Sequence, residues 1–472
     1  MDYSAFVSKS KCFVIAPAGY GKTHAIAECL KYVKGKQLIL THTHAGVASL
    51  KEKIQNLGVS SEKYRVETIS SYAQKYVNAF YCGNDIPKQE DGKNYYPFII
   101  DKAKSLFGMS LIQDVIKATY TGLFVDEYQD CNIGQHYFVK ALANILPTRL
   151  FGDPLQGIFD FNGDTLVDFD KDLSEFERFP DLSTPWRWKD NNPKLGDVFK
   201  DIRDKLIKKQ CIDLSLYNSH IEILAADNNQ KIWELVRNDS VLIINPNSSK
   251  ISDRMQFIKK LNYSFRLVEA IDHRDFYSLA CKLDELKSSK NLYEGLMFFL
   301  KGEPVKKKSR ITRKNTLLTG LAKYFPDDKK FPNSKAGELR SIIDSIKNWE
   351  NNKSFSLLAK IFREIKKLNG VNCYRSELFF DLCEAIEYAE HKSISIYEAM
   401  KEIRNRTRRV GRKVTGRCVG TTLLTKGLEF DTVAILDVHS FKCLKNFYVA
   451  ITRASKKLII FTNKRILFSQ DN

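Results

Sequence analysis

A short glycine-containing stretch near the start of the chain constrains the fold more than any other feature. Residues 16–23 read APAGYGKT, follow the apolar run 12–15 and lead into a segment of helical composition. A strand, a tight turn and a helix in this order place backbone N–H groups around an anion. Gly19 and Gly21 let the backbone approach phosphate oxygens without a Cβ in the way. The stretch therefore predicts a phosphate-binding loop, although Ala16 stands where the general pattern has its first glycine.

Two side chains of this loop suit a nucleoside triphosphate. Lys22 can reach the β- and γ-phosphates, and the Thr23 hydroxyl can bind Mg²⁺. The backbone of Ala18, Gly19 and Gly21 would surround the phosphates. The alternative is an ordinary strand–turn–helix corner, which would not require the other parts of a nucleotide-hydrolysing site.

Those other parts follow in the first half of the chain. The apolar run 122–125 leads directly into Asp126 and Glu127. Asp126 can hold Mg²⁺, and Glu127 can orient and deprotonate the attacking water. A further apolar run, 149–151, leads towards Gln156, which could sense the γ-phosphate. An exposed acidic strand end is the alternative interpretation of the two carboxylates.

The charge of the chain bears on its partners. The formal net charge is +19, from 75 Lys and Arg residues against 56 Asp and Glu residues. Such an excess favours polyanionic partners, of which nucleic acid is the commonest. Two basic runs, residues 301–314 and 404–417, suit either a solvated surface or contacts with phosphate groups, and both interpretations stay open.

Neither a cysteine-based metal site nor a membrane span is indicated. The ten cysteines include no C-x-x-C pair, so we expect reduced side chains and not a zinc ribbon or a disulfide framework. No stretch approaches the roughly 18 apolar residues of a membrane span. We therefore expect a cytoplasmic protein.

Polar residues follow several apolar runs, which is where ligands bind in parallel α/β sheets. In the first half these polar residues are Thr41, His42, Thr43, Thr68 and Ser70. Near the end of the chain, Thr421 and Thr422 precede the apolar run 432–436. Between the two regions, residues 275–405 are lysine-rich and helix-like. The pattern predicts two α/β blocks with helical segments inserted in each.

Six stretches occur in the order of the UvrD/Rep-type helicases of superfamily 1, which the chain resembles. They are the phosphate loop, Asp126-Glu127-x-Gln129-Asp130, Gly152-Asp153-x-x-Gln156, Arg187 between two tryptophans, Lys426-Gly427-Leu428-Glu429-Phe430 and Val449-Ala450-x-Thr452-Arg453-Ala454. Both the identity and the order of these stretches carry the resemblance.

The resemblance implies an α/β fold with two RecA-like P-loop lobes. Each lobe would contain a parallel sheet and carry a mostly helical insertion. The first lobe would span residues 1–175, with its insertion at about 81–118. The second lobe would combine residues 176–275 with 415–472, and a basic helical insertion would occupy 276–414.

The resemblance also implies that ATP, with Mg²⁺, lies between the two lobes. Lys22, Glu127 and Gln156 would act from the first lobe. Arg187 and Arg453 would be arginine fingers from the second lobe, which stabilise the transferring phosphoryl group only when the lobes close.

Three further residues would contact the nucleoside. By the resemblance, Glu429 lies near the ribose, Trp186 stacks on the adenine, and His24 stands where an arginine often covers the base. No glutamine precedes Gln37, so the upstream adenine-reading glutamine of the family is missing.

In the family, single-stranded DNA crosses both lobes and movement is 3′-to-5′. By the resemblance, Phe161 would stack on a base, because stacking tolerates any sequence. The other candidate DNA contacts are Thr41, His42, Thr43, Thr68, Ser70, Thr421 and Thr422.

The chain is also similar in size to the helicase-like subunits of Gabija-type anti-phage systems, which work beside a separate nuclease. No nuclease motif is apparent in the chain, so cleavage would need a partner. The main hypothesis is an ATP-dependent translocase or helicase on single-stranded or tailed DNA, in phage defence or DNA repair. The alternative is a DNA-sensing NTPase switch subunit that regulates a partner effector without processive unwinding.

Overall fold

The chain forms two compact units. The computed structural model describes residues 1–89, 91–158, 165–245, 251–262, 264–268, 274–285, 300–302, 337–367, 371–373, 375–410 and 414–468. One unit comprises Met1–Ile251 together with Thr407–Asn472, and the other comprises Ser252–Arg406.

The first lobe is built on a parallel sheet whose strands are short apolar segments, as expected for strands covered on both faces. Its described strands are β1 (Lys11–Ile15), β2 (Gln37–Thr41), β3 (Tyr64–Thr68), β4 (Gly122–Val125), β5 (Thr148–Gly152) and β6 (Glu177–Phe179). They lie in the order β3–β2–β4–β5–β1–β6, and each neighbouring pair is parallel. β6 begins two residues beyond residue 175, the predicted end of this lobe.

Helices connect these strands. Their bounds are α1 (Tyr3–Ser8), α2 (Lys22–Tyr32), α3 (His44–Asn56), α4 (Ile69–Phe80), α5 (Gly92–Leu106), α6 (Ser110–Thr119), α7 (Ile133–Ala143), α8 (Phe169–Asp172) and α9 (Trp186–Lys189). Polar residues fix several of the starts: the Thr43 hydroxyl accepts from the Gly46 N–H, and the Thr68 hydroxyl accepts from the Ser71 N–H. Such caps satisfy N–H groups that the first helical turn leaves unpaired.

Side chains along each strand alternate between two hydrophobic clusters. Phe13 and Leu150 belong to one cluster, whereas their neighbours Cys12, Val14 and Phe151 belong to the other. This alternation follows from the two-residue period of a strand. The sheet is therefore covered by helices on both faces, and its strand ends stay available for a site.

The chain then enters the second lobe. The elements of this part are α10 (Pro193–Ile207), β7 (Ile212–Asp213), β8 (Glu222–Leu224), α11 (Asn229–Glu234) and β9 (Val241–Ile244). The four residues of β9 are fully buried, consistent with a central parallel strand.

The second unit, Ser252–Arg406, is mostly helical where the structure describes it. The elements from this part of the chain are α12 (Ile251–Lys260), β10 (Arg266–Leu267), α13 (Arg274–Asp284), β11 (Leu300–Gly302), α14 (Gly337–Asn352), α15 (Phe355–Lys367), β12 (Val371–Cys373), α16 (Ser376–Lys392) and α17 (Ile396–Val410). Leu358, Phe379 and Ile396 belong to its hydrophobic cluster. The Asp284 carboxylate accepts hydrogen bonds from the first N–H groups of α17 and so fixes its start.

The last part of the chain completes the second lobe. It contains β13 (Arg417–Gly420), α18 (Thr422–Thr425), β14 (Phe430–Ile435), α19 (Leu444–Ile451), β15 (Ala454–Phe461) and β16 (Ile466–Leu467). Strands of the first unit form a second parallel sheet in the order β13–β9–β14–β15–β8. β16 pairs antiparallel with β7 at a separate place.

The predicted fold class is confirmed: two parallel sheets, each flanked by helices, form two RecA-like lobes. The helices α5 and α6 occupy the stretch where the first insertion is predicted. The numerical limits of the lobes stay a prediction. Among the described residues, no helix is both long and apolar enough to cross a membrane.

Candidate functional site

A cleft between the two lobes brings the predicted nucleotide residues together. Its volume is about 320 Å³, within the range of small-molecule sites. Its wall includes every residue predicted for the phosphates, the metal and the nucleoside: Ala18, Gly19, Gly21, Lys22, Thr23, His24, Asp126, Glu127, Gln156, Trp186, Arg187, Glu429 and Arg453. These residues span more than 400 positions of the chain, so the fold and not the local sequence assembles them.

The loop that follows β1 has the backbone geometry its glycines predict. Gly19 and Gly21 have φ of 76° and 82°, the left-handed region that favours glycine. A Cβ on Gly19 would lie 2.6 Å from the Trp188 ring, and a Cβ on Gly21 would lie 2.6 Å from the Trp186 ring. Gly21 precedes α2, so the N-terminus of this helix opens into the cleft. Both glycines are therefore required by conformation and by space.

Two carboxylates stand at the end of β4. The Asp126 N–H donates to the Leu40 carbonyl at 2.8 Å, which fixes the strand end against β2. Glu127 has a φ of 57°, uncommon for a residue with a Cβ, and this turn lets both carboxylates face the cleft. Lys22 Nζ lies 2.5 Å from Glu127 Oε2, and Gln129 Nε2 donates to the same oxygen at 2.6 Å.

The pKa values of the two carboxylates are shifted in opposite directions. Burial, together with the charge of Glu127, raises the pKa of Asp126 to about 6. Burial also opposes ionisation of Glu127, but Lys22 and Lys426 outweigh it and hold the Glu127 pKa well below its usual range. Glu127 is therefore ionised at neutral pH, which a residue that accepts a proton requires.

Arg187 connects the loop with the second lobe. Its backbone N–H donates to the Gly19 carbonyl at 3.0 Å, and its side chain bonds the Glu429 carboxylate at 2.8 Å and the Thr452 carbonyl. The indole of the neighbouring Trp188 donates to the Ala454 carbonyl at 2.7 Å. Helix α9 therefore holds Arg187 between the two sheets.

Arg453 lies on the second-lobe wall and is 2% exposed. Its guanidinium donates to the carbonyls of Val449 and Leu428, at 2.9 and 3.2 Å. Burial and the nearby Arg187 lower the Arg453 pKa to about 10, so the side chain stays cationic at neutral pH. Two guanidinium groups thus face one cleft.

Trp186 stands at the open edge of the cleft. It is 47% exposed, and its ring lies 5.6 Å from the His24 ring. Lys189 Nζ lies 4.6 Å from the centre of the same ring. An exposed aromatic face beside the phosphate loop is suited to stacking against a planar base.

A second lysine–carboxylate pair joins the lobes deeper in the cleft. Lys426, from the end of α18, contacts both oxygens of Asp130 and the Gln156 carbonyl. The two side chains are 3% and 1% exposed. Gln156 also donates to Asp153 Oδ2 at 3.1 Å. The predicted γ-phosphate sensor is therefore attached directly to the second lobe.

Sequence reasoning missed some residues of the cleft. Lys53 reaches it from α3, at helical spacing after Gly46 and Ser49, which also line the wall. Burial and the neighbouring Arg187 lower the pKa of Lys53. The i, i+3, i+7 spacing that follows Thr43 is the signal that could have identified this face of α3. Lys426 stands in a recognised stretch, but its buried partner lies 296 positions away.

The residues predicted to contact DNA lie in different environments. Thr43, Thr68 and Thr421 cap the starts of helices that follow strand ends, and His42 and Thr43 line the nucleotide cleft. The more enclosed members of the predicted set are Thr41, Thr68 and Thr422, which are 1%, 3% and 6% exposed. Ser70 is partly exposed, and Phe161 lies outside the described residues. The DNA contacts stay predictions.

Two RecA-like lobes that share a phosphate loop, two strand-end carboxylates and two arginines facing the same cleft define a P-loop nucleotide-binding protein of the two-lobe class. Comparison with known proteins refines this class. Residues 4–162 match the family described as an AAA domain. Residues 329–462 match the family described as the viral superfamily 1 RNA helicase core domain. These two domain matches support a helicase of superfamily 1, and such domains indicate an ATP-hydrolysing nucleic-acid helicase.

Two curated proteins show similarity along different lengths of the chain. The Gabija protein GajB of Bacillus cereus (strain VD045) is 22% identical over 507 aligned residues, covering 96% of this chain and 93% of that protein. The RecBCD enzyme subunit RecB of Buchnera aphidicola subsp. Acyrthosiphon pisum (strain APS) is 29% identical over 119 residues. That alignment covers 25% of this chain and 10% of RecB.

Solved structures show a weaker likeness. The arterivirus nonstructural protein 10 helicase in complex with DNA has a TM-score of 0.35 and 10% identity, with 98% of this chain and 63% of that chain covered. The PRRSV helicase has a TM-score of 0.33 and 11% identity, with 98% and 54% covered. This chain thus spans less than two thirds of either viral helicase chain. The support for a superfamily 1 helicase therefore comes from the domain matches.

Proposed function

We propose that the protein is an ATP-driven DNA translocase and helicase of the UvrD/Rep type that moves 3′-to-5′ along single-stranded DNA. One observation carries the proposal: Arg453 of the second lobe, and Arg187 with its side chain bonded to that lobe, face the same cleft as Lys22 and Glu127. Hydrolysis that needs groups from both lobes is coupled to the distance between the lobes. That coupling is what a translocating motor requires.

The roles follow from the positions. Lys22, now paired with Glu127, would transfer to the β- and γ-phosphates when ATP enters. Glu127, freed from Lys22 and ionised, would orient the attacking water and accept its proton. Arg187 and Arg453 would stabilise the charge of the transferring phosphoryl group.

The residues present fit a divalent cation beside the phosphate loop. Oδ1 of Asp126 is buried and has no hydrogen-bond partner among the described residues. Carboxylate and hydroxyl oxygens are ligands that Mg²⁺ accepts, so Thr23 and Asp126 would hold it. When bound, the cation neutralises charge on the β- and γ-phosphates.

The DNA path would cross the strand ends that carry Thr43, Thr68 and Thr421. Each of these residues caps a helix, so partial positive charge gathers at the same places. The net charge of +19 supports binding to a phosphate backbone. His42 would lie between this path and the nucleotide, because it lines the cleft.

The cellular role that we propose is anti-phage defence beside a separate nuclease. Similarity to the Gabija protein GajB over nearly the whole chain supports this role, and the shorter similarity to RecB supports DNA repair as the second possibility. Purification of the tagged chain from its own host should recover a nuclease. A cytoplasmic location stays a prediction.

A second candidate function is a DNA-sensing switch that hydrolyses nucleotide without unwinding. The burial of Thr41, Thr68 and Thr422 favours it, because enclosed hydroxyls leave fewer side chains for a moving strand. Duplexes with a 3′ tail, a 5′ tail or no tail distinguish the two functions. The motor requires ATP-dependent strand displacement from the 3′-tailed duplex only, whereas ATP turnover without displacement from any duplex would favour the switch.

Substitution of Arg453 by Ala tests the shared site. We expect the rate of single-turnover ATP hydrolysis to fall by about 10³-fold, as for other arginine fingers, with nucleotide affinity nearly unchanged. The exposed Lys456 on the same lobe, substituted by Ala, is the matched control and should keep full activity. Parallel loss of affinity and rate in Arg453→Ala would make Arg453 a structural residue and would contradict the two-lobe mechanism.

A further inference from the structure

A largely enclosed arginine outside the six recognised stretches contacts Asp153, three residues before Gln156. Arg203 lies on α10, and its side chain is 12% exposed. One of its terminal nitrogens lies 2.9 Å from Asp153 Oδ1, and Asp153 is fully buried. A buried carboxylate needs such a cationic partner, so the two residues are held together.

Asp153 also makes hydrogen bonds to two other parts of the site. Towards the second lobe, Oδ1 accepts from the Leu155 N–H at 3.2 Å and Oδ2 accepts from Gln156 Nε2 at 3.1 Å. These bonds shape the turn Pro154–Gln156. The carbonyl of Gln156 in turn accepts from Lys426. The orientation of Gln156 therefore depends on the Asp153 carboxylate.

In the other direction the chain of hydrogen bonds reaches the phosphate-binding lysine. The Asp153 N–H donates to Gln129 Oε1 at 2.8 Å, and Gln129 Nε2 donates to Glu127 Oε2 at 2.6 Å. Lys22 Nζ lies 2.5 Å from the same Glu127 oxygen. Asp153 thus stands where the bonds to Glu127 and to Gln156 meet.

Arg203 also lies on the helix that packs against α19, which ends two residues before Arg453. Tyr448, on α19, is 1% exposed, and although burial lowers the pKa of Arg203, Asp153 together with this phenol raises it. α19 packs against both α10 and the turn Pro154–Gln156. The Arg203 guanidinium therefore contacts Asp153 at the start of the turn Pro154–Gln156, from a helix that packs against α19.

We propose that Arg203 is a positioning residue for ATP hydrolysis, which holds the Asp153 carboxylate so that Gln156 is oriented towards the γ-phosphate. The proposal rests on the proposed function and deepens it. Arg203 does not line the cleft, so it acts through these partners and not by contact with nucleotide. A small displacement of groups around a reacting phosphoryl costs up to about 100-fold in rate.

The test compares Arg203→Met and Arg203→Lys with wild type. In Arg203→Met, we expect kcat for ATP to fall by about 10- to 100-fold, with KM and the affinity for a fluorescent non-hydrolysable ATP analogue within about twofold. Arg203→Lys keeps the charge beside Asp153 and should recover most of kcat. The matched control is Arg178→Met, which removes an exposed arginine paired with Asp181 and should leave kcat unchanged.

Epistasis with Gln156 separates positioning from general stability. If Arg203 acts through Gln156, Arg203→Met should lower kcat much less in a Gln156→Ala background than in wild type. Circular dichroism and the thermal midpoint establish that each variant is folded at the assay temperature. An unchanged kcat in folded Arg203→Met, a loss of affinity that matches the loss of rate, or independent effects in the double variant would each overturn the proposal.

Different results would reject the proposed motor function and the proposed positioning role of Arg203. Wild-type ATPase that single-stranded DNA does not stimulate would reject the proposed motor. The comparison between Arg203→Met and wild type would then be made on basal turnover, and its outcome would still decide the role of Arg203. An effect of Arg203→Met on turnover together with failed DNA stimulation would keep the positioning role and discard the motor.

Discussion

Two pairs of lysine and carboxylate line the same cleft and differ in how far they are enclosed. Lys22 and Glu127 join two parts of the first lobe, and their side chains are 10% and 21% exposed. Lys426 and Asp130 join the two lobes, and their side chains are 3% and 1% exposed. The first pair is the more open to the cleft, so a nucleotide can compete for it, whereas protein almost completely encloses the second pair.

Because of this difference, we expect the open pair to affect ATP turnover and the enclosed pair to affect stability. A pair open to the cleft can exchange one partner for a phosphate, so substitution there should change turnover more than stability. An enclosed pair leaves an uncompensated charge when one member is removed, so substitution there should change stability first. Substitutions in each pair test the distinction.

The largest effect is expected from Glu127→Gln in the open pair. The amide oxygen can still accept from Lys22, but it cannot take a proton from water. We expect kcat for ATP to fall by about 10²–10⁴-fold, the usual contribution of a general base. Nucleotide affinity and the unfolding midpoint should stay near their wild-type values. Stopped-flow or radiolabelled single-turnover assays measure the rate, and residual turnover above a tenth of wild type would remove Glu127 from this role.

The enclosed pair should respond in the opposite way to Lys426→Met. Loss of the ammonium leaves Asp130 buried without its cation, which costs about 3–5 kcal/mol of folding free energy. Urea unfolding followed by circular dichroism measures this loss. The exposed pair between Lys456 and Asp431 provides the control, because Lys456→Met should leave the midpoint almost unchanged.

A double substitution sharpens this result. Replacement of both members by apolar residues, Lys426→Met with Asp130→Leu, removes the uncompensated charge and should recover much of the lost stability. If Lys426→Met alone proved as stable as wild type, the enclosed pair would not hold the lobes and the contrast with Lys22 would fail.

A smaller effect is expected at His42, beside the enclosed pair. Burial, followed by the charge of Lys426, lowers the His42 pKa to about 3 from its ordinary value of 6.5. In the unfolded chain His42 binds a proton near pH 6.5, whereas in the folded chain it binds one only near pH 3. Stability is therefore lost as the pH falls from about 6.5 towards 3. At pH 5 we expect a loss of about 1–2 kcal/mol relative to pH 8.

His42→Phe should remove this part of the pH dependence. The unfolding free energy of wild type and variant, measured from pH 8 to pH 5, should therefore diverge on acidification. The exposed His220, substituted by Gln, should follow the wild-type profile. Parallel profiles for wild type and His42→Phe would show that burial does not hold the His42 ring neutral.

The sequence was most informative where function lies next to a strand end. The phosphate loop after β1 and the carboxylates after β4 are local: an apolar run predicts the strand, and the residues that follow it face the cleft. β6 and β8 were not predicted, because strands of three residues leave too short a pattern. The enclosure of Thr41 and Thr68 was also not visible, since burial depends on what packs over a strand end.

The sequence by itself determined the nucleotide chemistry, because Lys22, Thr23, Asp126 and Glu127 occupy positions that a strand, a turn and a helix fix within a few residues. The tertiary structure decided how the chemistry depends on the second lobe. Asp130 with Lys426 and Arg203 with Asp153 are contacts between positions 296 and 50 residues apart. Such contacts form only when whole sheets and helices pack, because no local sequence pattern predicts which charged side chains will pair.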